Sequence, residues 1–244
     1  MFDIGCRGRP PGARTLERID SGDLDCPDHT TYDLTVRSDN GDRSRTFTEE
    51  ARRAQIIKCA IEALAEVGFG GASLAEIARR AGVSKGVVSY YFSGKDDLLG
   101  QVLLDVYTRA GEAIAVRTAL AESPAAVVRG YIEANLGFLG EYPADIAAVV
   151  EVAANARRPD GSLRFAPQGN DPVLVHLEQL LRDGQASGSF GDFDARSLAI
   201  LIRGAIDTAS GRLVTDPAFD LPAYTRQLVS VVETVTATAP REQP

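Results

Sequence analysis

The stretch Leu74-Ala75-Glu76-Ile77-Ala78-Arg79-Arg80-Ala81-Gly82-Val83-Ser84-Lys85-Gly86-Val87-Val88 holds the residue types and spacings that could do chemistry in this 244-residue chain. Ser73, with Glu76 three residues on, reads as the capping-box start of a short helix through Arg80. Ala78 is small where two helices must approach closely, and Gly82 supplies a turn of the kind that often needs φ > 0. Ser84 caps a second short helix, Lys85 to Tyr91, with Val83 and Val88 buried against the first. Its first-turn residues Lys85, Gly86 and Val87 then project outward. This is the anatomy of a helix-turn-helix, whose second helix enters the major groove of DNA and offers its N-terminal residues to base edges.

These two helices need neighbours to hold them. Ala51 to Val67 runs without Gly or Pro, and Ile57, Ile61 and Leu64 recur on one helix face. Glu49 and Glu50 suit the positive end of that helix, and Gly68 stops it. Ser93-Gly94 ends the recognition segment, and a longer periodic helix follows from about Lys95 to Leu120. Ser123-Pro124 opens a segment that ends before Pro143, which can sit in the first turn of the next. Residues 157 to 171 read as a polar loop. Pro172 opens a helix carrying Val173, Leu177, Leu180 and Leu181, and Gly184 to Asp192 reads as a turn region. Two apolar segments close the chain, about Asp194 to Val214 and Asp220 to Ala239. No segment alternates strictly, so the predicted fold class is all-α: an N-terminal three-helix domain with a helix-turn-helix, followed by a C-terminal helical domain.

Composition narrows the classes. Hydrophobic residues make up 44% and charged residues 25%, as in ordinary globular domains. Three cysteines, Cys6, Cys26 and Cys59, form no CxxC pair, which points to a reducing cytoplasm and to no zinc site. No apolar run is long enough to span a bilayer, and no membrane partner is expected. GxSxG, HExxH, P-loop and dinucleotide fingerprints are missing, and the only histidines are His29 and His176, so no enzyme, cofactor or metal is expected. Residues 1–45, rich in Asp, Gly, Ser and Thr without period, are expected to be a disordered tail. The net charge of −8 taken whole opposes nucleic acid, but residues 40–100 carry +1 against −3 before them and −6 after. Ile77 to Lys95 contains Arg79, Arg80, Lys85 and Lys95 and no acid, and so reads as unopposed positive charge.

Residues 46 to about 104 resemble the DNA-binding domain of the TetR (tetracycline-repressor-like) family of transcriptional regulators. The resemblance lies in Ile56-Ile57, Ala60, Glu66-Val67-Gly68-Phe69, Ser73-Leu74-Ala75-Glu76-Ile77-Ala78, Ala81-Gly82-Val83-Ser84-Lys85-Gly86, Tyr91-Phe92, Lys95 and Leu98-Leu99. It implies a DNA-binding domain over 46–100 and a ligand-binding and dimerisation domain over 101–240. Carried over position by position, it makes Lys85 a base-edge or phosphate contact. Gly86 becomes a point of close backbone approach, and Val87 a partner for a thymine methyl. Tyr90 and Tyr91 match backbone-contacting positions, and Lys95 a phosphate-binding lysine opening the fourth helix. Arg45, Thr46, Ser73 and Ser84 complete the expected surface. Ser89 stands where the family often has Tyr, and a short hydroxyl reaches less far.

The same resemblance implies a homodimer formed through about residues 194–239, where Leu198, Leu201, Ile202, Ala205, Ile206 and Ala209 and then Leu221, Tyr224, Leu228, Val231, Val232 and Val235 form apolar stripes. It also implies an unidentified small-molecule effector, with Tyr107, Tyr131, Asn135, Phe138, Tyr142 and His176 as candidate contacts; Glu151, Arg203 and Asp207 are further polar groups on apolar helices. The expected function is that of a sequence-specific DNA-binding regulator, a ligand-released homodimeric repressor on a palindromic operator. An activator of the same fold, or a helical interaction protein that binds no DNA, is the alternative.

Overall fold

A computed structural model describes residues 47–165 and 171–238. The expected tail, with Arg45 and Thr46, lies outside the described residues. Among those described there are nine helices: α1 Phe47–Gly71, α2 Leu74–Arg80, α3 Lys85–Tyr91, α4 Lys95–Thr118, α5 Pro124–Glu141, α6 Pro143–Asn155, α7 Pro172–Ala186, α8 Ala195–Thr215 and α9 Leu221–Thr236. The single β pairing among them is an antiparallel bridge, Arg157 to Leu163, in the α6–α7 loop. None of these helices is long and apolar enough to cross a membrane.

Local signals set most of the boundaries. Ser73, Ser84, Ser123, Asp171, Asp194 and Asp220 each accept a hydrogen bond from a first-turn amide of the helix that follows, which satisfies one of its orphan donors. Pro sits in the first turn of α5, α6, α7 and α9, where its missing N–H costs nothing. Gly68 interrupts α1 with φ 69 and ψ 178, so the last turn of α1 is set off from the rest by a kink.

Two expectations are corrected. Gly184 does not begin a turn: α7 continues through it to Ala186. The glycine is needed for space, because a Cβ there would stand 2.0 Å from the ring of Phe190. The capping box at α2 is only half formed. Ser73 Oγ accepts from Glu76 N–H, but the Ser73 N–H goes to the carbonyl of Gly71 at 2.8 Å, and the Glu76 carboxylate turns to arginines instead.

α1, α2 and α3 share a core of Ile56, Ala60, Leu64, Ile77, Val88 and Phe92, continued by Leu98 and Leu99 of α4. α5 packs on α4, α7, α8 and α9, and so forms the centre of the remaining helices. α1 packs against α6 more extensively than any other pair of helices does. On α8, Leu198, Ile202, Ile206 and Ala209 are buried while Ile200 and Leu201 are exposed; on α9, Val229 and Val232 are buried while Val231 and Val235 are exposed. Each predicted stripe is thus divided between the chain's own core and its surface.

Candidate nucleic-acid interface

The turn between α2 and α3 is closed by main-chain bonds. Gly82 has φ 63, its N–H donates to Arg79 at 3.2 Å, and Val83 N–H donates to Ala78 at 3.0 Å. From α1, Gln55 Nε2 donates to the Ala81 carbonyl at 3.1 Å. Ala78 is buried where the helices meet, as its size requires. Ser84 Oγ accepts from Val87 N–H at 3.3 Å, which fixes the direction in which α3 starts. Lys85 and Gly86 are exposed and Val87 is half-buried, while Val88 one step on is buried. A Cβ at Gly86 would meet only Ser84 Oγ, at 3.6 Å, so the fold itself does not require glycine there.

Ser73, Ser84, Lys85, Gly86, Ser89 and Tyr90 are exposed, Val87 and Tyr91 are half-buried, and all lie on α2, α3 or their caps. Tyr90 and Tyr91 meet edge to face at 5.0 Å, and the Tyr90 hydroxyl faces Glu49 Oε1 of α1 at 3.5 Å. Phe92 is buried beneath Arg53, whose guanidinium lies 4.8 Å from the ring centre.

The unopposed positive charge expected over Ile77–Lys95 is corrected. Arg79 and Arg80 both pair with Glu76 at 2.7 Å, and Arg80 also reaches Glu66 of α1 at 2.6 Å. One turn of helix and one helix contact supply acids that lie outside that stretch of sequence. The two guanidinium hydrogen bonds hold the Glu76 carboxyl down to about 2. Lys85 is left as an exposed cation with no ion pair among the described residues. Lys95 is also turned inward: its Nζ donates to the Phe69 carbonyl at 2.5 Å and lies 4.2 Å from the Phe69 ring centre. Burial lowers the Lys95 pKa, against the opposing charge of Asp96.

Phe69 is held from a second side. Its N–H donates to Glu151 Oε2 of α6 at 2.8 Å, and the Gly68 backbone passes so close that a Cβ there would lie 3.4 Å from the same oxygen. Glu151 therefore stands at the kink of α1 and not among the other candidate effector contacts. A third tie joins Arg164 of the α6–α7 loop to Asp96 of α4 at 3.1 Å. Asp97, buried, accepts from Ser93 N–H at 2.8 Å and fixes the α3–α4 turn. No local sequence pattern announces Glu151 or Arg164, since their partners lie 82 and 68 residues away.

The candidate effector contacts fall into separate groups. Tyr107 of α4, Tyr131 and Asn135 of α5, and Arg203 and Asp207 of α8 come together. Burial raises both phenols; it opposes the charge of Arg203, but Asp207 and Tyr131 outweigh it and raise that pKa. Phe138 and Tyr142 stack at 4.6 Å beside Arg109, which pairs with Asp105 at 3.0 Å and also with Asp145. His176 is exposed on α7, so the structure does not bring it into either group.

Residues 56–102 match the family described as bacterial regulatory proteins, tetR family. The HTH-type transcriptional regulator BetI 1 of Chromohalobacter salexigens is 42% identical over 85 residues, 34% of this chain and 42% of that protein. BetI of Escherichia coli O17:K52:H18 is 42% identical over 132 residues, 54% of this chain and 63% of that protein. The chain thus spans less than half the length of the first relative. Among solved structures, the fatty acid degradation regulator FadR from Bacillus halodurans superposes with a TM-score of 0.63 at 23% identity, covering 74% of this chain and 94% of that one. A TetR-like transcriptional regulator from Rhodococcus sp. RHA1 gives 0.59 at 22% identity, covering 74% and 92%. At these identities the structures establish a shared fold.

Proposed function

We propose, from the premise that this chain is a tetR-family regulatory protein by its residues 56–102, that it is a sequence-specific transcriptional regulator. In this reading it is a homodimeric repressor that leaves a palindromic operator when a small molecule binds residues 101–240. The observation that carries the reading is the start of α3. A serine cap and a positive-φ glycine turn aim Lys85, Gly86 and Val87 away from the core, and Lys85 is an exposed cation that pairs with no acid among the described residues. Such a helix end fits the major groove, with its dimer mate about 34 to 36 Å away.

The exposed residues Ile200 and Leu201 of α8 and Val231 and Val235 of α9 support a dimer through this pair of helices. The ties of Phe69 to Glu151 and Lys95, and of Asp96 to Arg164, support a route by which α6 and its loop bias α1 and α4. An effector acts only by binding one arrangement of these helices better than the other.

Selection of genomic fragments by the purified protein tests the reading. A palindromic site should emerge, and Lys85→Ala should weaken its binding while leaving the dimer intact. Recovery of no enriched fragment would refute it. Leu201→Asp should yield a monomer in sedimentation; an unchanged dimer would remove α8 from the interface.

A further inference from the structure

Tyr131 on α5 is 2% exposed, and its phenol oxygen makes no hydrogen bond. A buried polar group without a partner costs stability, and phenylalanine would fill the same space without that cost. The groups facing the phenol are the Arg203 guanidinium of α8 and the Asn135 amide one turn along α5. One N–H of the Asn135 amide donates to the Tyr131 carbonyl at 2.8 Å. Arg203 already has its counter-charge, with Nη2 lying 2.5 Å from Asp207 Oδ1. Tyr107 of α4 faces the same ion pair, and beyond it Asp171 at the start of α7. The Arg203 charge is therefore matched by Asp207, while the buried Tyr131 hydroxyl is left without a hydrogen-bond partner.

We propose that this cluster is the head-group site of the effector, and that the effector is an uncharged, largely apolar molecule carrying a carbonyl-type oxygen that accepts from the Tyr131 hydroxyl and the Arg203 guanidinium. This rests on the effector-binding reading of residues 101–240. A carboxylate would enter beside Asp207 and Asp171 with only a cation that is already paired. A quaternary ammonium would lie against Arg203. Either ion loses its water without gaining a free partner. A neutral carbonyl loses little water and satisfies the orphan hydroxyl.

Three probes with one chain and three heads test this on the full-length protein: 2-octanone, octanoate and octyltrimethylammonium, compared by titration calorimetry. The ketone should bind at least tenfold more tightly than either ion. Tyr131→Phe should weaken ketone binding about five- to tenfold, the worth of one hydrogen bond, while leaving the thermal midpoint unchanged or higher. That combination of equal or better stability with poorer binding is not what a merely structural tyrosine gives. Tighter binding of either ion, unchanged ketone binding by the variant, a lowered midpoint, or no binding of any probe would overturn the proposal. Retention of the selected DNA without probe is measured separately. Its loss would overturn the regulator reading, whereas retention with no preference for the ketone overturns only the head-group assignment.

Discussion

The backbone of Phe69 is held at both its N–H and its carbonyl, and a double-mutant cycle measures whether the two grips form one connection. Glu151 of α6 accepts its N–H at 2.8 Å, and Lys95 of α4 donates to its carbonyl at 2.5 Å with the ammonium over the ring. A hydrogen bond to a charged group is worth about 1.5–3 kcal/mol. Glu151 is part-exposed, so Glu151→Ala is expected to cost about 1–2 kcal/mol after screening. For a chain of this size that is a drop of roughly 2–8 °C in the unfolding midpoint. Lys95→Met keeps the packing of the stem and loses the ammonium, for about 1 kcal/mol once the offsetting cost of burying the charge is counted. The two side chains hold the two peptide groups that flank one residue, Phe69, from different helices, so the double variant should lose less than the sum, by at least about 0.5 kcal/mol. Urea unfolding of the four proteins provides the numbers. Operator affinity of Glu151→Ala without effector should stay within about threefold, because α2 and α3 are untouched. Additivity within about 0.3 kcal/mol would refute the reasoning: α6 and α4 would then hold Phe69 independently, and no message could pass between them there.

Gly86→Ala should fold at least as stably as the parent, since its Cβ finds only Ser84 Oγ at 3.6 Å and alanine is the better helix former by up to about 1 kcal/mol. The same variant should bind the operator at least tenfold less tightly in a gel-shift titration if the backbone approaches DNA at that point. Gly184→Ala should behave in the opposite way, losing about 1–3 kcal/mol in urea unfolding because the methyl group meets the Phe190 ring. The Glu76 carboxyl is held at about 2, below its ordinary 4.5, by Arg79 and Arg80. Its contribution to stability is therefore complete above about pH 4.5 and lost as pH falls toward 2. Glu76→Gln should flatten the fall in stability across that window, measured by denaturant unfolding at each pH.

What the sequence determined by itself was local. Ser73, Ser84, Ser123, Asp194 and Asp220 cap the helices that their positions announce, and Gly82 takes the positive φ that its place in the turn requires. Each of these depends on atoms within one turn of chain, and so the spacing of a few residues carries the whole signal. The all-α class followed from the same short-range periods. Where two surfaces had to be matched, spacing was silent. It could not say that Leu201 would be exposed beside buried Ile202, that Arg80 would find Glu66, or that Gly184 would stay helical to seat Phe190. Nor could it carry Glu151 across 82 residues to the kink of α1. Those outcomes depend on which helix lies on which, and that is decided by the packing of whole faces, a sum over many distant contacts that no short window of sequence contains.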